Sequence, residues 1–155
     1  MPIVIDNTLN RIRSAAASGG DRRERAKRLA ELIARLGHYR WVGIYDVGPE
    51  KVSILAWSGP GAPHNPTFPI SQGLIGAAIR EKRTVVVGDV RRDARYLTAF
   101  SSTLSEIIVP VVAPGEERVI GTVDVESERV NAFSAEDQRM IEQCVEAALP
   151  LWLLG

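Results

Sequence analysis

The stretch TLSEIIVPVVAPGEERVIGTVDVES, residues 103–127, decides the fold of this chain. Two runs rich in valine and isoleucine flank a short Pro-Gly turn, which is the pattern of a β-hairpin. Glu106 begins the first run, and Asp124 and Glu126 lie inside the second, where a buried strand usually carries aliphatic residues. Because strand residues two apart share a face, Asp124 and Glu126 are predicted to project together. Acids at such positions cost free energy unless they are solvated, paired or holding a ligand.

The composition is that of one globular domain. The chain has 155 residues, of which 45% are hydrophobic and 25% are charged. Its 19 basic and 19 acidic residues cancel, so we expect no binding to nucleic acid or to membranes. The one cysteine, Cys144, excludes an internal disulfide and a cysteine-built metal site. No apolar run approaches the roughly 18 residues of a membrane span. The start MPIVID lacks the features of a signal peptide, so a cytoplasmic protein is expected.

The rest of the chain predicts helices around a central sheet. Apolar spacings of three and four residues predict helices over 6–17, 22–36, 73–80 and 135–149. Strands are predicted over 40–47, 51–58 and 84–87 in addition to the hairpin. Terminal helices around a run of strands are typical of an α+β fold with an antiparallel sheet. We expect a single domain over 1–155, with 1–20 as an N-terminal helical extension.

The first predicted strand has an aromatic face. Trp41, Gly43 and Tyr45 alternate with Val42 and Ile44, so the two sets are predicted to face opposite sides of the sheet. Large aromatic residues in strands usually belong to the core. Simple packing is therefore the alternative to a ligand-binding role for these two rings.

Two loops are candidates to border a pocket. In the proline loop, residues 59–72, prolines recur every third residue, which is the period of polyproline II and favours a stiff wall or lid. His64 lies in the middle of this loop and is interpreted either as a solvated side chain or as a ligand contact. The arginine flap, residues 88–104, is either a solvated connection or a segment that closes a pocket. Its arginines are Arg91, Arg92 and Arg95.

The C-terminal part of the chain carries clear helix signals. Ser134 and Asp137 have the spacing of a capping box and predict the start of the last long helix. Cys144 lies on the apolar stripe of that helix, which favours a buried structural thiol. Pro150 is predicted to end or kink the helix. The segment LWLL over 151–154 needs cover from this domain or from a second subunit.

Five motifs in order resemble those of a known family. They are WVGIY at 41–45, FPISQGLIG at 68–76, SEIIVP at 105–110, VIGTVDVES at 119–127 and FSAED at 133–137. Over roughly residues 21–149 the chain resembles a GAF domain, and within that superfamily the free methionine-(R)-sulfoxide reductases. The resemblance implies a six-stranded antiparallel sheet with the N- and C-terminal helices on one face and a ligand pocket on the other.

The resemblance also implies a ligand-binding set. The positions that match the residues holding the amino acid in these reductases are Trp41, Tyr45, Glu106, Asp124 and Glu126. Glu126 is one methylene longer than the aspartate of the family. Carboxylates suit a ligand ammonium group, and an aromatic wall suits a cation or an apolar tail. With His64 from the proline loop, these residues form the predicted ligand-binding site.

The thiol chemistry of the reductases has no counterpart here. The three cysteine positions of the family correspond to His64, Ile75 and Ala99. Sulfoxide reduction by that route needs one thiolate to attack sulfur and a second thiol to resolve the product. Cys144, on the buried face of a predicted helix, does not replace that pair. We therefore predict no catalytic residue.

Three hypotheses follow for the function. The first is a non-catalytic sensor or regulatory domain that binds an amine- or amino-acid-like ligand. The second is a reductase-related enzyme that works by other means. The third is a dimerising structural domain with a vestigial pocket, in which the flap arginines neutralise the acids.

The expected ligands and partners are few. No metal or cofactor is expected, because no thiol is placed to attach a haem, flavin or tetrapyrrole and neither histidine has a supporting motif. Cyclic nucleotides, which some GAF domains bind, stay open as ligands. A homodimer through the terminal helices is expected.

Overall fold

The computed structural model describes the backbone of residues 2–37, 39–98 and 100–154, with side chains from Ile5 onward. The helices are α1 (Pro2–Ala17), α2 (Arg22–Gly37), α3 (Gly73–Glu81), α4 (Ala135–Ala148) and α5 (Pro150–Leu153). The strands are β1 (Trp41–Val47), β2 (Lys51–Ser58), β3 (Thr67–Pro69), β4 (Val85–Val87), β5 (Ser105–Val112) and β6 (Val119–Ser127). A short 3-10 helix covers Val90–Arg92. The α+β class and the six strands are confirmed.

The strands form one antiparallel sheet with the order β3-β2-β1-β6-β5-β4. The predicted hairpin is β5 and β6, and its register places Glu106 directly opposite Glu126. On its other side β6 pairs with β1, which brings the aromatic strand next to the acids. A register shift between Ile44 and Tyr45 interrupts the pairing of β1 with β2.

Each face of the sheet has its own core. One core joins α1, α2, α4 and α5 to the face of the sheet that carries Val42, Ile44 and Val123. The other joins α3 and the loops to the face that carries Trp41 and Tyr45. The predicted alternation in β1 is therefore confirmed, and the terminal helices pack together on one face. The opposite face is left for the site.

Local signals explain several of the helix ends. Asp21 caps α2 by accepting a 2.9 Å hydrogen bond from the backbone N–H of Arg23. In the capping box of α4, Ser134 Oγ accepts from the backbone N–H of Asp137, whose carboxylate accepts from the N–H of Ser134. Helix α4 stops before Pro150, which begins the short helix α5.

Two elements differ from the sequence expectation. Strand β3 lies inside the proline loop and pairs with the start of β2, whereas the proline spacing predicted a polyproline II-like wall without a strand. Its three residues are too few to show alternation, and Pro69 at its end is a residue that strands usually exclude. Helix α1 begins at Pro2, earlier than the expected start at residue 6. No helix within the described part of the chain combines the length and hydropathy that a bilayer span requires.

Candidate ligand-binding site

The three acids of the hairpin meet at the centre of the sheet. Glu126 on β6 lies between Trp41 on β1 and Glu106 on β5. Two residues along, Asp124 lies between Gly43 and Ile108. One carboxylate oxygen from each acid lies within 4.8 Å of one from each of the others. The strand register therefore builds a compact cluster of three carboxyl groups, which we call the acid cluster: Glu106, Asp124 and Glu126.

The acid cluster is buried and poorly satisfied. The exposed fractions of the three residues are 4%, 3% and 1% for Glu106, Asp124 and Glu126. Glu126 Oε1 accepts hydrogen bonds from Thr103 Oγ1 at 2.8 Å and from the Tyr96 hydroxyl at 3.4 Å. Glu106 Oε2, Asp124 Oδ1 and Glu126 Oε2 have no hydrogen-bond partner in the structure. Buried polar atoms without partners are rare in proteins, so these oxygens call for an explanation.

Burial and mutual repulsion raise the pKa values of the acid cluster. Loss of hydration raises the pKa of Asp124 to about 6. Loss of hydration, and then repulsion from Asp124, raise the pKa of Glu126 to about 8. The same two causes raise the pKa of Glu106 well above its usual value, with Glu126 adding further repulsion. The cluster therefore holds protons near neutral pH unless a positive charge replaces them.

Aromatic rings form the wall beside the acid cluster. The Trp41 ring lies 6.4 Å from Tyr45 and meets Phe100 edge-to-face at 5.2 Å, measured between ring centroids. Tyr45 packs edge-to-face on Phe68 at 6.0 Å. Gly43 makes this arrangement possible, because a Cβ atom there would lie 2.3 Å from the Trp41 ring. Burial, and then Asp124, raise the pKa of Tyr45 well above its usual value, so its phenol stays neutral.

A small cavity joins the aromatic wall to the acid cluster. It encloses about 20 Å³, which is room for one water-sized group. Its lining residues come from the sheet, the proline loop, α3 and the arginine flap: Tyr45, Pro63, Asn65, Phe68, Gly73, Leu74, Ile75, Leu97, Glu106 and Asp124. Both loops expected at the pocket do border it. A ligand larger than this volume requires them to move outward.

The structure brings together five of the six predicted site residues. Trp41, Tyr45 and the acid cluster lie on one face of the sheet, and all five are buried. His64 is exposed and is absent from the cavity lining, whereas its neighbours Pro63 and Asn65 face the cavity. The role expected for His64 in holding a ligand finds no support in this geometry.

The flap arginines do not neutralise the acid cluster, so the pairing that the third hypothesis assumed is wrong. Arg91 forms a two-bond ion pair with Asp89, and Arg92 lies 3.9 Å from the same carboxylate. Arg95 pairs with Asp93. Each arginine has an acidic partner within three residues in the sequence, and Arg95 also lies 3.8 Å from Glu81 on α3. The flap arginines are therefore paired without the acid cluster. Among the described residues, no cationic side chain forms an ion pair with the acid cluster.

The single thiol lies on the wrong side of the sheet for chemistry at the site. Cys144 is fully buried in the core between the sheet and the terminal helices, as expected. Burial raises the pKa of its thiol to about 12, so it stays protonated. Of the positions that match the cysteines of the reductases, Ile75 is a buried aliphatic lining residue and Ala99 lies outside the described residues.

The sequence did not indicate which loop residues contact the acid cluster and the aromatic wall. Thr103 and Tyr96 donate to Glu126, and Phe100 covers Trp41. All three belong to the arginine flap, which has no periodic pattern to indicate which side chains point inward. The available signal was the aromatic content of a segment that otherwise looked polar.

The arrangement is chemically suited to a cation. Within the described part of the chain, the acid cluster is the one set of His, Cys, Asp or Glu side chains spaced closely enough to hold a metal ion. The same oxygens suit an ammonium group, and the adjacent rings suit its charge or an apolar tail.

Comparison with known proteins places the chain in a family. The family model described as "GAF domain" matches residues 20–148. The GAF domain-containing protein A of Dictyostelium discoideum is 30% identical over 110 residues, which are 70% of this chain and 67% of that protein. The chain therefore belongs to the GAF domain family.

Two solved structures share this fold closely. A free methionine-R-sulfoxide reductase from Neisseria meningitidis, in complex with its substrate, superposes with a TM-score of 0.84 at 26% identity and covers 96% of this chain and 88% of that chain. A type II free methionine-R-sulfoxide reductase from Thermoplasma acidophilum has a TM-score of 0.75 at 30% identity, covering 84% of this chain and 94% of that chain. The resemblance to these reductases is thus one of homology as well as fold.

Proposed function

We propose that this chain is a non-catalytic GAF domain that binds an amine- or amino-acid-like ligand in a sensing or regulatory role. The observation that carries the proposal is the acid cluster with its three unpartnered oxygens. Three buried carboxyl groups without a cationic partner destabilise the fold, and functional sites commonly keep such a cost. A ligand ammonium group would supply the missing charge and hydrogen bonds.

The surroundings of the acid cluster support a ligand with an apolar or cationic body. Trp41 and Tyr45 offer ring faces beside the acids, and Leu74 and Leu97 add aliphatic surface. The cavity has room for one water-sized group, so a larger ligand enters as the proline loop and the arginine flap move outward. Movable lids over a rigid sheet are a common design for binding sites.

The experiment is thermal unfolding with a panel of free amino acids and small amines. A ligand that binds the folded state alone raises the unfolding midpoint. We expect at least one member of the panel to do so, with a smaller effect for its deaminated analogue. No shift with any member would contradict the proposal and favour a vestigial pocket.

The names of the relatives favour a second candidate, a methionine sulfoxide reductase. Cys144 argues against it, because its thiol is buried on the opposite face of the sheet and keeps its proton. We expect no thiol-dependent reduction of free methionine sulfoxide by the purified protein. Turnover above that of a Cys144→Ala control would overturn the non-catalytic proposal.

A further inference from the structure

The three unpartnered oxygens of the acid cluster suggest how its ligand is recognised. Glu106 Oε2, Asp124 Oδ1 and Glu126 Oε2 are all buried and without partners. A primary ammonium group carries three N–H donors, one for each of these oxygens, whereas a quaternary ammonium group carries none. The match of three acceptors to three donors distinguishes the two kinds of cation.

A fourth unpartnered oxygen extends the polar surface of the site. Thr122 Oγ1 is buried without a hydrogen-bond partner, and Thr122 lies two residues before Asp124 on the same face of β6. It lies opposite Tyr45 in the register of β1 and β6. This face of the strand therefore offers unpartnered oxygens beyond those of the acids.

In the part of the chain that the structure describes, the acid cluster has no neighbouring positive charge to balance three ionised carboxyl groups. Three carboxyl groups whose oxygens approach within 4.8 Å in a buried setting are not all ionised together without a positive charge. The groups that face them are the phenols of Tyr45 and Tyr96 and the hydroxyl of Thr103, which bring no positive charge. Helix α3 and strand β4 contribute aliphatic side chains, the proline loop contributes Pro63 and Asn65, and the flap arginines pair elsewhere.

We propose that the acid cluster exchanges protons for the primary ammonium group of its ligand, so that binding releases protons and strengthens as pH rises. This inference rests on the proposed function and adds the preference for a primary ammonium group and the dependence of binding on pH. Protons and ammonium compete for the same oxygens. The raised pKa values of Asp124, about 6, and Glu126, about 8, place this competition around neutral pH. An aliphatic amine keeps its own proton throughout that range.

The test is calorimetric titration with n-butylamine at several pH values, each in two buffers of different ionisation enthalpy. We expect binding to release protons. We also expect the affinity for n-butylamine to tighten between about pH 6 and about pH 8. Release of one proton limits this change to about tenfold per pH unit. Butyltrimethylammonium keeps the charge and the tail but lacks N–H donors, so we expect it to bind at least about tenfold more weakly.

Two variants and an infrared measurement on the wild-type protein distinguish a lost proton exchange from a protein that fails to fold. Glu126→Gln should reduce the proton release and flatten the pH dependence above about pH 7. Glu116→Gln, an exposed change in the β5–β6 turn, should leave both unchanged. In the wild-type protein, the infrared band of protonated carboxyl groups should weaken when n-butylamine binds, which needs no variant.

The outcomes separate this inference from the proposed function. Binding of n-butylamine with no proton release and a flat pH profile would overturn the exchange and leave the proposed function standing. Proton uptake would overturn it equally. Absence of binding by n-butylamine and by every amino acid of the panel would overturn both. Saturable binding of calcium ions with proton release, in a protein that ignores amines, would replace the exchange with a metal site.

Discussion

At the scale of single residues, the buried carboxyl groups of the acid cluster depart most from ordinary core packing. A valine at each position would complete the face without unpartnered oxygens. The pKa of Glu126 rises from 4.5 to about 8, so the folded state binds its proton more tightly than the unfolded state does. Its contribution to stability is therefore greatest in acid, falls as pH rises through this window, and levels off above it.

The substitution Glu126→Gln tests whether ionisation of Glu126 lowers the free energy of unfolding. The amide keeps an acceptor for Thr103 and cannot ionise, so we expect the variant to unfold less readily than the wild type in alkaline buffer. The gain should be small near pH 5 and reach roughly 1–3 kcal/mol above about pH 8. Urea unfolding across this range measures it. The exposed change Glu116→Gln serves as the control, and an equal pH profile for both variants would contradict the account.

Gly43 offers a second test at the residue scale. A Cβ atom there would lie 2.3 Å from the Trp41 ring and 2.9 Å from the Tyr45 ring. Gly43→Ala should displace the aromatic wall, cost about 1–3 kcal/mol and change tryptophan fluorescence. Gly19→Ala is the matched control, because nothing lies within 4 Å of a Cβ atom at that position. Equal stability of both variants would contradict the packing described here.

Strand alternation explains which site residues were predictable. Trp41, Tyr45 and the acid cluster follow the period of two, so their common face can be deduced from the amino-acid sequence. Loops have no such period. In the proline loop the prediction named His64 for its side-chain chemistry, whereas Pro63 and Asn65 face the cavity.

At the scale of elements, the C-terminal helix is tied to the strand that carries the aromatic wall. Trp152 Nε1 donates a 3.1 Å hydrogen bond to the backbone carbonyl of Tyr45, next to the register shift in β1. Gly121 leaves space for the indole, because a Cβ atom there would lie 2.1 Å from it. The cover that the sequence required for Trp152 thus comes from this domain. Leu153 and Leu154 stay exposed.

Trp152→Phe tests this tie. The phenyl ring keeps much of the packing over Gly121 but cannot donate to the Tyr45 carbonyl. We expect a loss of about 1 kcal/mol in the free energy of unfolding and faster amide exchange in β1. Leu154→Ala, at a side chain that is 66% exposed, should change neither quantity. A Trp152→Phe variant as stable as the wild type would show that the bond contributes nothing.

Helices and strands were predictable where a periodic apolar pattern extended over many residues and capping or turn residues marked its ends. Helices α2 and α4 and the hairpin were predictable because apolar spacing, capping residues and turn signals agree. Strand β3 was not, because its three residues owe their extended form to pairing with β2. Long-range pairing of this kind leaves no local signal.

At the scale of the whole molecule, the sheet separates two hydrophobic cores. The helical face holds the larger core, including Cys144, and the opposite face holds the acid cluster beneath two loops. A homodimer through the terminal helices is still a prediction, for which the exposed Leu153 and Leu154 offer apolar surface and light scattering is the measurement. The one thiol, Cys144, therefore lies on the opposite side of the sheet from the acid cluster.

The most direct measurement is the unfolding midpoint of wild type and Asp124→Asn at about pH 7.5, with and without the amine or amino acid that shifts the wild type most. The account predicts that the variant melts higher than the wild type without ligand, because a buried carboxyl group that burial disfavours is gone. It also predicts that the ligand raises the midpoint of the wild type alone. An equal ligand shift in both proteins, or none in the wild type, would contradict the claim that the acid cluster is a binding site.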